Sequence, residues 1–508
     1  MLAGLTSIAI TGVDAVPVEV ELDNNFGMPC QRLVGLPDKA VQEALDRIKS
    51  ALRNCGYDFP SSRRLIYSLA PAELRKEGAV YDLPLALVTL LASEQLLPKV
   101  LEKYLVLGEL SLGGELRPIR GALAAAITAR QLGMDGVVLP LANAAEAAAV
   151  EGVRAVGVST LTEAVGFFAG EWTPPREYGD AREEAEEHPL CYSDMRGQEG
   201  VKRAMLVSAA GGHHCLLMGP PGSGKTMAAQ RLPSILPPLT LAESLETTKI
   251  HSVAGEVTPG RGLMRTRPFR SPHHNASAAG LIGGGSVPRP GEISLAHNGV
   301  LFLDEAPEFP RALLETLRQP LEDGTVMISR ASGAETFPAR MLLVMSMNLC
   351  PCGRRGDPRR VCRCSERQVV AYLGRVSGPL LDRIDLHIEV PPVDRERLME
   401  GRNGETSREM LARVLAARRI QEKRFAGRGS PVNAVMTARD IEEHCSLTRE
   451  MESLLKSAVA EYGLSARAYG RILKVARTLA DLDDAADIGM EHLLEAVQYR
   501  RADVHSDS

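Results

Sequence analysis

Three glycines, a lysine and a hydroxyl stand in fixed order in Gly219-Pro220-Pro221-Gly222-Ser223-Gly224-Lys225-Thr226, which fits the pattern G-x-x-x-x-G-K-[ST]. In that pattern the glycines let backbone N–H groups close around phosphate oxygens, the lysine reaches the outer phosphates and the hydroxyl meets Mg²⁺. Such a loop works only between a strand and a helix. Cys215-Leu216-Leu217-Met218 is an apolar run of strand length before it, and Met227 to Leu232 can open a helix after it. Hydrolysis also needs carboxylates, and Gly299-Val300-Leu301-Phe302-Leu303-Asp304-Glu305 is an apolar strand ending in two of them. Asp304 is placed to reach Mg²⁺ through its water shell, and Glu305 to activate the attacking water as general base. ATP and Mg²⁺ are therefore the expected cofactors. The nucleotide contacts are expected from Gly219, Pro220, Pro221, Gly222, Ser223, Gly224, Lys225, Thr226 and Met227.

Two further stretches carry chemistry. From Val257 to Gly291 there is no acidic residue, but there are Arg261, Arg265, Arg267, Arg270 and Arg289, the pair His273-His274, and Gly283-Gly284-Gly285. A positive, glycine-rich loop predicts a grip on a phosphate backbone, and solvated arginines on a structural loop are the plainer alternative. Adjacent histidines without supporting ligands make a poor metal site. Farther on, Cys350-Pro351-Cys352 and Cys362-Arg363-Cys364 gather four thiols. Four thiolates suit tetrahedral Zn²⁺, but C-x-C is tighter than the usual C-x₂₋₄-C, so zinc and free thiols both stand as readings. Arg354, Arg355, Arg359, Arg360, Arg363 and Arg367 crowd this segment against only Asp357 and Glu366, and no aromatic residue is interleaved for base stacking.

The elements that must position these groups belong to a chain of 508 residues, long enough for more than one domain. Basic and acidic residues nearly balance, 59 against 64, so a polyanion must be held locally rather than by a global basic field. Residues 1–20 are apolar but contain no Lys or Arg and are broken by Gly4, Gly12 and Asp14, which argues against a secretory signal. The uncharged run Leu83 to Ser93 is too short to cross a bilayer. A cytoplasmic protein without a membrane partner is expected. Its nine cysteines fit reduced thiols plus one metal site better than a disulfide framework.

Along residues 1–170 strand-like pieces (Val16 to Leu22, Leu65 to Leu69, Tyr104 to Gly108, Gly136 to Leu139) alternate with helix-like ones (Asp38 to Leu52, Leu83 to Leu91, Gly121 to Leu132), predicting an α/β or α+β domain within an α/β chain. Pro174-Pro175, Gly179 and the charged run from Arg182 to Glu187 predict a linker over 171–190. An ATPase core is expected over 191–393, carrying the basic insertion 251–291 and the cysteine knuckle 350–364. Past Pro391-Pro392, helical spacing in Glu450 to Tyr462, Arg467 to Leu482 and Met490 to Val497 predicts a small helical lid domain over 394–508.

Several of these residues resemble a known family. Val34-Gly35-Leu36-Pro37-Asp38, Asn54-Cys55-Gly56-Tyr57 and Leu107-Gly108-Glu109-Leu110, followed by Pro268-Phe269-Arg270-Ser271-Pro272-His273-His274 and the run from Gly283 to His297, are similar to the motifs of YifB/ComM proteins. The resemblance implies a Lon-protease-like N-terminal domain, an AAA+ P-loop core of the magnesium-chelatase branch and a C-terminal helical lid. Met195-Arg196-Gly197-Gln198-Glu199 resembles the approach to the nucleotide site in such ATPases. Asn348, which ends the strand-like run Met341 to Met347, matches a sensor asparagine, and Arg383 in Leu380-Leu381-Asp382-Arg383-Ile384-Asp385-Leu386 matches an arginine finger that acts on a neighbouring subunit. Arg467 in Ser465-Ala466-Arg467 matches a second sensor, with Arg471 as its substitute. A finger acting in trans implies a ring, for this family a hexamer. The family further implies a DNA helicase that drives branch migration on branched or single-stranded DNA, during integration of transforming DNA by homologous recombination.

Two rival functions follow from the same resemblance. A magnesium-chelatase motor subunit would remodel a partner protein instead of DNA. A Lon-type protease would need a serine activated by a lysine. Where that fold places the dyad this chain reads Gly78-Ala79-Val80-Tyr81-Asp82 and Arg120-Gly121-Ala122-Leu123, so a non-proteolytic domain is expected.

Overall fold

The computed structural model describes residues 1–99, 103–175, 178, 188–285, 288–330, 333–392, 404–428 and 432–501. They form two compact units, Met1–Glu184 with Leu241–Met264, and Ala185–Thr240 with Arg265–Ser508. Most of the linker expected over 171–190, and the start of the lid expected at 394, lie outside the described residues.

The first unit is built on a seven-stranded mixed sheet. Its strands are β1 (Leu2–Thr11), β2 (Asp14–Asn25), β3 (Cys30–Val34), β4 (Arg64–Ala70), β5 (Tyr104–Val106), β6 (Gly136–Pro140) and β7 (Arg154–Val158), in the order β3-β4-β2-β1-β5-β6-β7. β1 and β2 make an antiparallel hairpin with Leu2 opposite Asp23 and Thr11 opposite Asp14. The alternation seen in the sequence of β2 is real: Val18, Val20 and Leu22 are buried while Glu19 is exposed, as a sheet with one packed face requires. From β5 onward the pairing is parallel, β1 with β5, β5 with β6 and β6 with β7. The helix Asp82–Ala92 is buried at every position, which explains its all-round apolar sequence.

The helix Leu241–Ala254 is assigned to this unit, although its place in the sequence puts it inside the expected ATPase core. Gly121 N–H donates to Ser252 O at 3.2 Å, Gly260 N–H to Ala142 O at 2.9 Å, and Lys249 pairs with Asp14. Its buried positions include Ser244, Thr247, Thr248 and Ser252, so it carries no apolar stripe to announce where it packs.

The second unit holds a five-stranded, all-parallel sheet. Its strands are β8 (Cys215–Met218), β9 (Phe269–Arg270), β10 (Val300–Leu303), β11 (Leu342–Met347) and β12 (Leu386–Glu389), ordered β9-β10-β11-β8-β12. β8, β10 and β11 are buried along their whole length, as strands covered on both faces must be. An antiparallel hairpin, Thr325–Arg330 with Gly333–Pro338, precedes β11. The C-terminal helices Ser407–Arg424, Arg449–Glu461, Ala466–Leu482 and Met490–Arg501 share one hydrophobic core with the sheet and with the helix Glu199–Gly211. Arg418 and Gln421 donate to Ala209 O and Ala210 O at the end of that helix, at 2.7 and 3.1 Å, satisfying carbonyls that a helix terminus leaves over. Among the described residues no helix is long and apolar enough to cross a membrane.

Candidate active site

In an open parallel sheet, ligands gather beyond the carboxyl ends of the strands where the strand order reverses. β11 lies between β8 and β10, so the residues following these three strands meet at one edge. They are Gly219 to Thr226, Asp304 with Glu305, and Asn348.

The loop after β8 is fastened at its start by Gly219 N–H to Met347 O, 3.2 Å. Gly222 sits at φ +76° with open space around a would-be Cβ, so its requirement is the left-handed backbone and not room. Gln198 fixes the loop from outside, donating from Nε2 to Ser223 O at 3.2 Å and to Pro391 O at 2.6 Å. This gives a physical role to the segment before the helix Glu199–Gly211. Lys225 opens the helix Lys225–Arg231 and is largely buried. Its Nζ donates to Gly219 O at 2.7 Å, Pro220 O at 2.9 Å and Asn348 Oδ1 at 3.2 Å. Burial lowers the Lys225 pKa below the usual lysine value, while the carboxylates of Asp304 and Glu305 oppose the shift.

The carboxylate side is equally connected. Thr226 Oγ1 donates to Asp304 Oδ2 at 3.0 Å, and Asp304 Oδ1 accepts from Glu305 N–H at 3.1 Å and from the hydroxyl of Ser346. Ser346 Oγ also accepts from Glu305 N–H at 3.1 Å. Glu305 is exposed and stands at φ +53°, a strained conformation for a residue with a Cβ and one that collects at working sites. Ser346 was not singled out in the sequence. The signal that marks it is a single hydroxyl, fully buried, in the otherwise apolar strand β11.

These residues fit a magnesium nucleotide. Ser223 Oγ is buried without a hydrogen-bond partner among the described residues, and the Thr226 hydroxyl and Asp304 carboxylate already face each other as ligands of a hard cation would. Lys225, with the loop N–H groups, would hold the phosphates, and Thr226 and Asp304 the metal. When bound, the cation neutralises charge that develops on the phosphoryl oxygens. Glu305 would hold and deprotonate the water, and Asn348 would fix its line of approach while steadying Lys225.

The two arginines expected at the site differ in state. Arg383 is 5% exposed, donates to Pro379 O at 2.6 Å and pairs with Glu322, so in the single chain it is folded inward. Arg467 is exposed in the first turn of Ala466–Leu482. Its substitute Arg471 is committed elsewhere, donating to Arg383 O at 2.8 Å and pairing with the buried Asp385. Burial pushes the Asp385 pKa up, but the hydrogen bond from His213 (3.1 Å) and the charge of Arg471 outweigh it and hold the carboxyl far below the usual range.

The structure divides the arginines of the basic insertion. Arg270 forms a two-pronged pair with Glu292, at 2.6 and 2.7 Å, and Arg267 donates to Pro237 O at 2.6 Å and Asn298 O at 2.7 Å. Both therefore brace the fold. Arg261 lies in the part of the chain assigned to the first unit, and His273 and His274 stack on each other with centroids 4.1 Å apart. Arg289, on the short hairpin Gly283–Gly284 with Arg289–Pro290, remains exposed.

The four thiols do converge. The Sγ atoms of Cys350, Cys352, Cys362 and Cys364 all lie within 4.8 Å of one another. Arg355 pairs with Glu366 and Arg359 with Asp357, at 2.9 and 3.0 Å, while Arg354, Arg360, Arg363 and Arg367 are exposed. In the first unit, the stretch Gly78 to Asp82, where the resemblance led a Lon-type serine to be sought, holds the short helix Ala79–Tyr81 and the buried Asp82, which Arg47 clamps at 2.8 and 2.9 Å.

Comparison with known proteins agrees with this geometry. Residues 191–398 match the family described as magnesium chelatase, subunit ChlI, residues 18–143 the subunit ChlI of Mg-chelatase, and residues 404–500 the C-terminal part of that subunit. The chain is 42% identical over 507 residues to the uncharacterized protein YifB of Salmonella typhimurium, covering 99% of this chain and 97% of the relative. It is 43% identical over 504 residues to the competence protein ComM of Haemophilus influenzae, covering 98% and 97%. A shorter similarity, 29% identity over 161 residues, joins it to Lon protease 2 of Bacillus subtilis, covering 29% of this chain and 28% of the relative.

Proposed function

The chain belongs to the YifB/ComM family of magnesium-chelatase-like AAA+ ATPases, and from that premise we propose that it is a ring-forming motor, a hexamer, that moves DNA strands at the cost of ATP. The reaction is hydrolysis of MgATP by Lys225, Thr226, Asp304, Glu305 and Asn348 of one subunit, completed by Arg383 of the next, with Arg467 reading the nucleotide from the lid. The work is helicase action and branch migration on branched or single-stranded DNA in the cytoplasm, serving integration of DNA by homologous recombination in natural transformation. The name of the Haemophilus relative points to competence.

The observation that carries this reading is the placement of exposed Arg354, Arg360, Arg363 and Arg367 in the segment that begins two residues after Asn348. Cations tied to the nucleotide sensor are where hydrolysis becomes movement of a phosphate backbone. The test is ATP turnover with and without forked DNA, together with strand displacement. Turnover should rise with DNA, and Lys225→Ala or Glu305→Gln should abolish displacement. Full displacement by either variant sinks the proposal.

A second reading is favoured by the matches to the chelatase subunit along the chain. There the motor remodels a partner protein. Turnover stimulated by a protein and indifferent to DNA would select it.

A further inference from the structure

The segment from Cys350 to Cys364 has turns and surface ion pairs but almost no apolar core to hold its shape. Residues 351–365 contain only turns, bends and irregular backbone, and their one large apolar side chain, Val361, is 80% exposed. A stretch with so little core needs a staple. The thiols supply one. Cys350, Cys352 and Cys362 have Sγ–Sγ separations of 3.4, 3.6 and 3.7 Å, nearly an equilateral triangle, and Cys364 completes a group within 4.8 Å.

Four sulfurs bound at about 2.3 Å from one tetrahedral zinc lie roughly 3.8 Å from each other. Two disulfides would instead draw the sulfurs into separate pairs and leave no triangle. Burial does not explain the cluster either, because Cys352 is exposed and Cys362 and Cys364 are only half-buried. Arg355 N–H points at Cys350 Sγ from 3.3 Å, the kind of outer hydrogen bond that steadies a thiolate ligand.

The cluster is also wedged against the phosphate loop. Gly353, at φ +71°, lies so near Pro221 that a Cβ there would come within 2.8 Å of Pro221 Cγ, with Asn348 Nδ2 at 3.9 Å. Cys350 follows Asn348 by two residues, and Asn348 Oδ1 accepts from Lys225 Nζ at 3.2 Å.

We infer that Cys350, Cys352, Cys362 and Cys364 bind one zinc ion, and that this metal holds Asn348 and Gly353 against the phosphate loop, so that the nucleotide site and the arginine-bearing knuckle move as one piece. The four thiols give up their protons to the solvent as the cation enters, with no change of oxidation state. The metal site stands on the sulfur geometry alone, whereas its coupling to the loop rests on the nucleotide reading given above.

Metal analysis of the full-length protein, purified without chelator, tests the first part. One zinc per chain is expected in the wild type, with loss in Cys362→Ser and retention in Cys364→His, which keeps four ligands. Lys225→Ala should keep all its zinc while losing hydrolysis, which separates failure of the metal site from failure of the nucleotide reading. A wild-type protein without zinc, or Cys362→Ser with a full complement, overturns the site. Affinity for a fluorescent ATP analogue tests the second part. It should weaken about tenfold in Cys362→Ser and recover in Cys364→His. Wild-type affinity in zinc-free Cys362→Ser overturns the coupling.

Discussion

The hydroxyl of Thr226 donates to the carboxylate of Asp304 at 3.0 Å across 78 residues of chain. Two groups proposed to hold the cation are thus prepositioned by the adjacent strands β8, β11 and β10. Thr226→Ala and Asp304→Asn should each raise the Mg²⁺ concentration needed for half-maximal ATP hydrolysis by at least tenfold, measured as phosphate release in a Mg²⁺ titration.

Glu305 accepts no ion pair among the described residues and faces solvent. Its substitution by Gln removes the proposed base and leaves the phosphate cradle intact. Glu305→Gln should bind ATP within about twofold of wild type while turnover falls about 10²- to 10⁴-fold. Equilibrium binding and steady-state turnover on one preparation check it.

On the proposed trans role, Arg383 has to leave Glu322 to reach a neighbouring subunit. Arg383→Ala should lower turnover about 10³-fold without weakening ATP binding. Glu322→Gln should loosen the latch, so that turnover per chain reaches its plateau at a lower protein concentration. Turnover measured against protein concentration reads both.

Much of this was legible in the sequence because it is local. The phosphate loop, the carboxylates after β10 and Asn348 after β11 are each an apolar strand followed by a reactive residue, and each could be read within ten positions. What was not legible depends on distant partners. Arg267 reads as a loose cation until Pro237 O and Asn298 O are seen beneath it, since backbone carbonyls leave no trace in composition. Arg270 belongs to Glu292, one residue past the stretch that looked free of acid. Arg383 lies in a segment that resembles an arginine finger, but nothing local to it names Glu322 as its holder.

His214 gives a pH signature. Burial pushes its pKa down from 6.5 to about 4, Arg471 and His213 add to the fall, and Asp385 opposes it. Its Nδ1 accepts from Leu343 N–H at 3.1 Å, which requires the unprotonated ring nitrogen. Between these two values the unfolded chain takes up a proton that the folded chain refuses, so stability is complete above pH 6.5 and is lost as pH falls toward 4. Allowing for its partial exposure, the loss is on the order of 2 kcal/mol. Thermal unfolding of wild type and His214→Gln across this range should show the shallower decline in the variant.

Asp481 is buried between Arg424, at 2.5 and 2.7 Å, and Arg477, at 3.0 Å, and it accepts from Asn433 Nδ2 at 2.8 Å. Asp481→Ala strands two cations and should cost about 3–5 kcal/mol. Denaturant unfolding followed by helical dichroism measures it.

The assignment of Leu241–Met264 to the first unit means that the two units are laced together and not strung in series. The chain crosses from one to the other three times, so a protease nick anywhere between residues 176 and 187 leaves two bridges intact, at Thr240 and at Met264. Expression of residues 1–184 alone would omit the helix Leu241–Ala254 and uncover what it shields. Those two bridges fall between the two parts of the nucleotide site in sequence: one leaves shortly after the phosphate-loop helix, the other returns just before β9, beside the strand that Asp304 follows. The phosphate loop and the carboxylates that complete its site are thus separated in sequence by an excursion of the chain into the first unit.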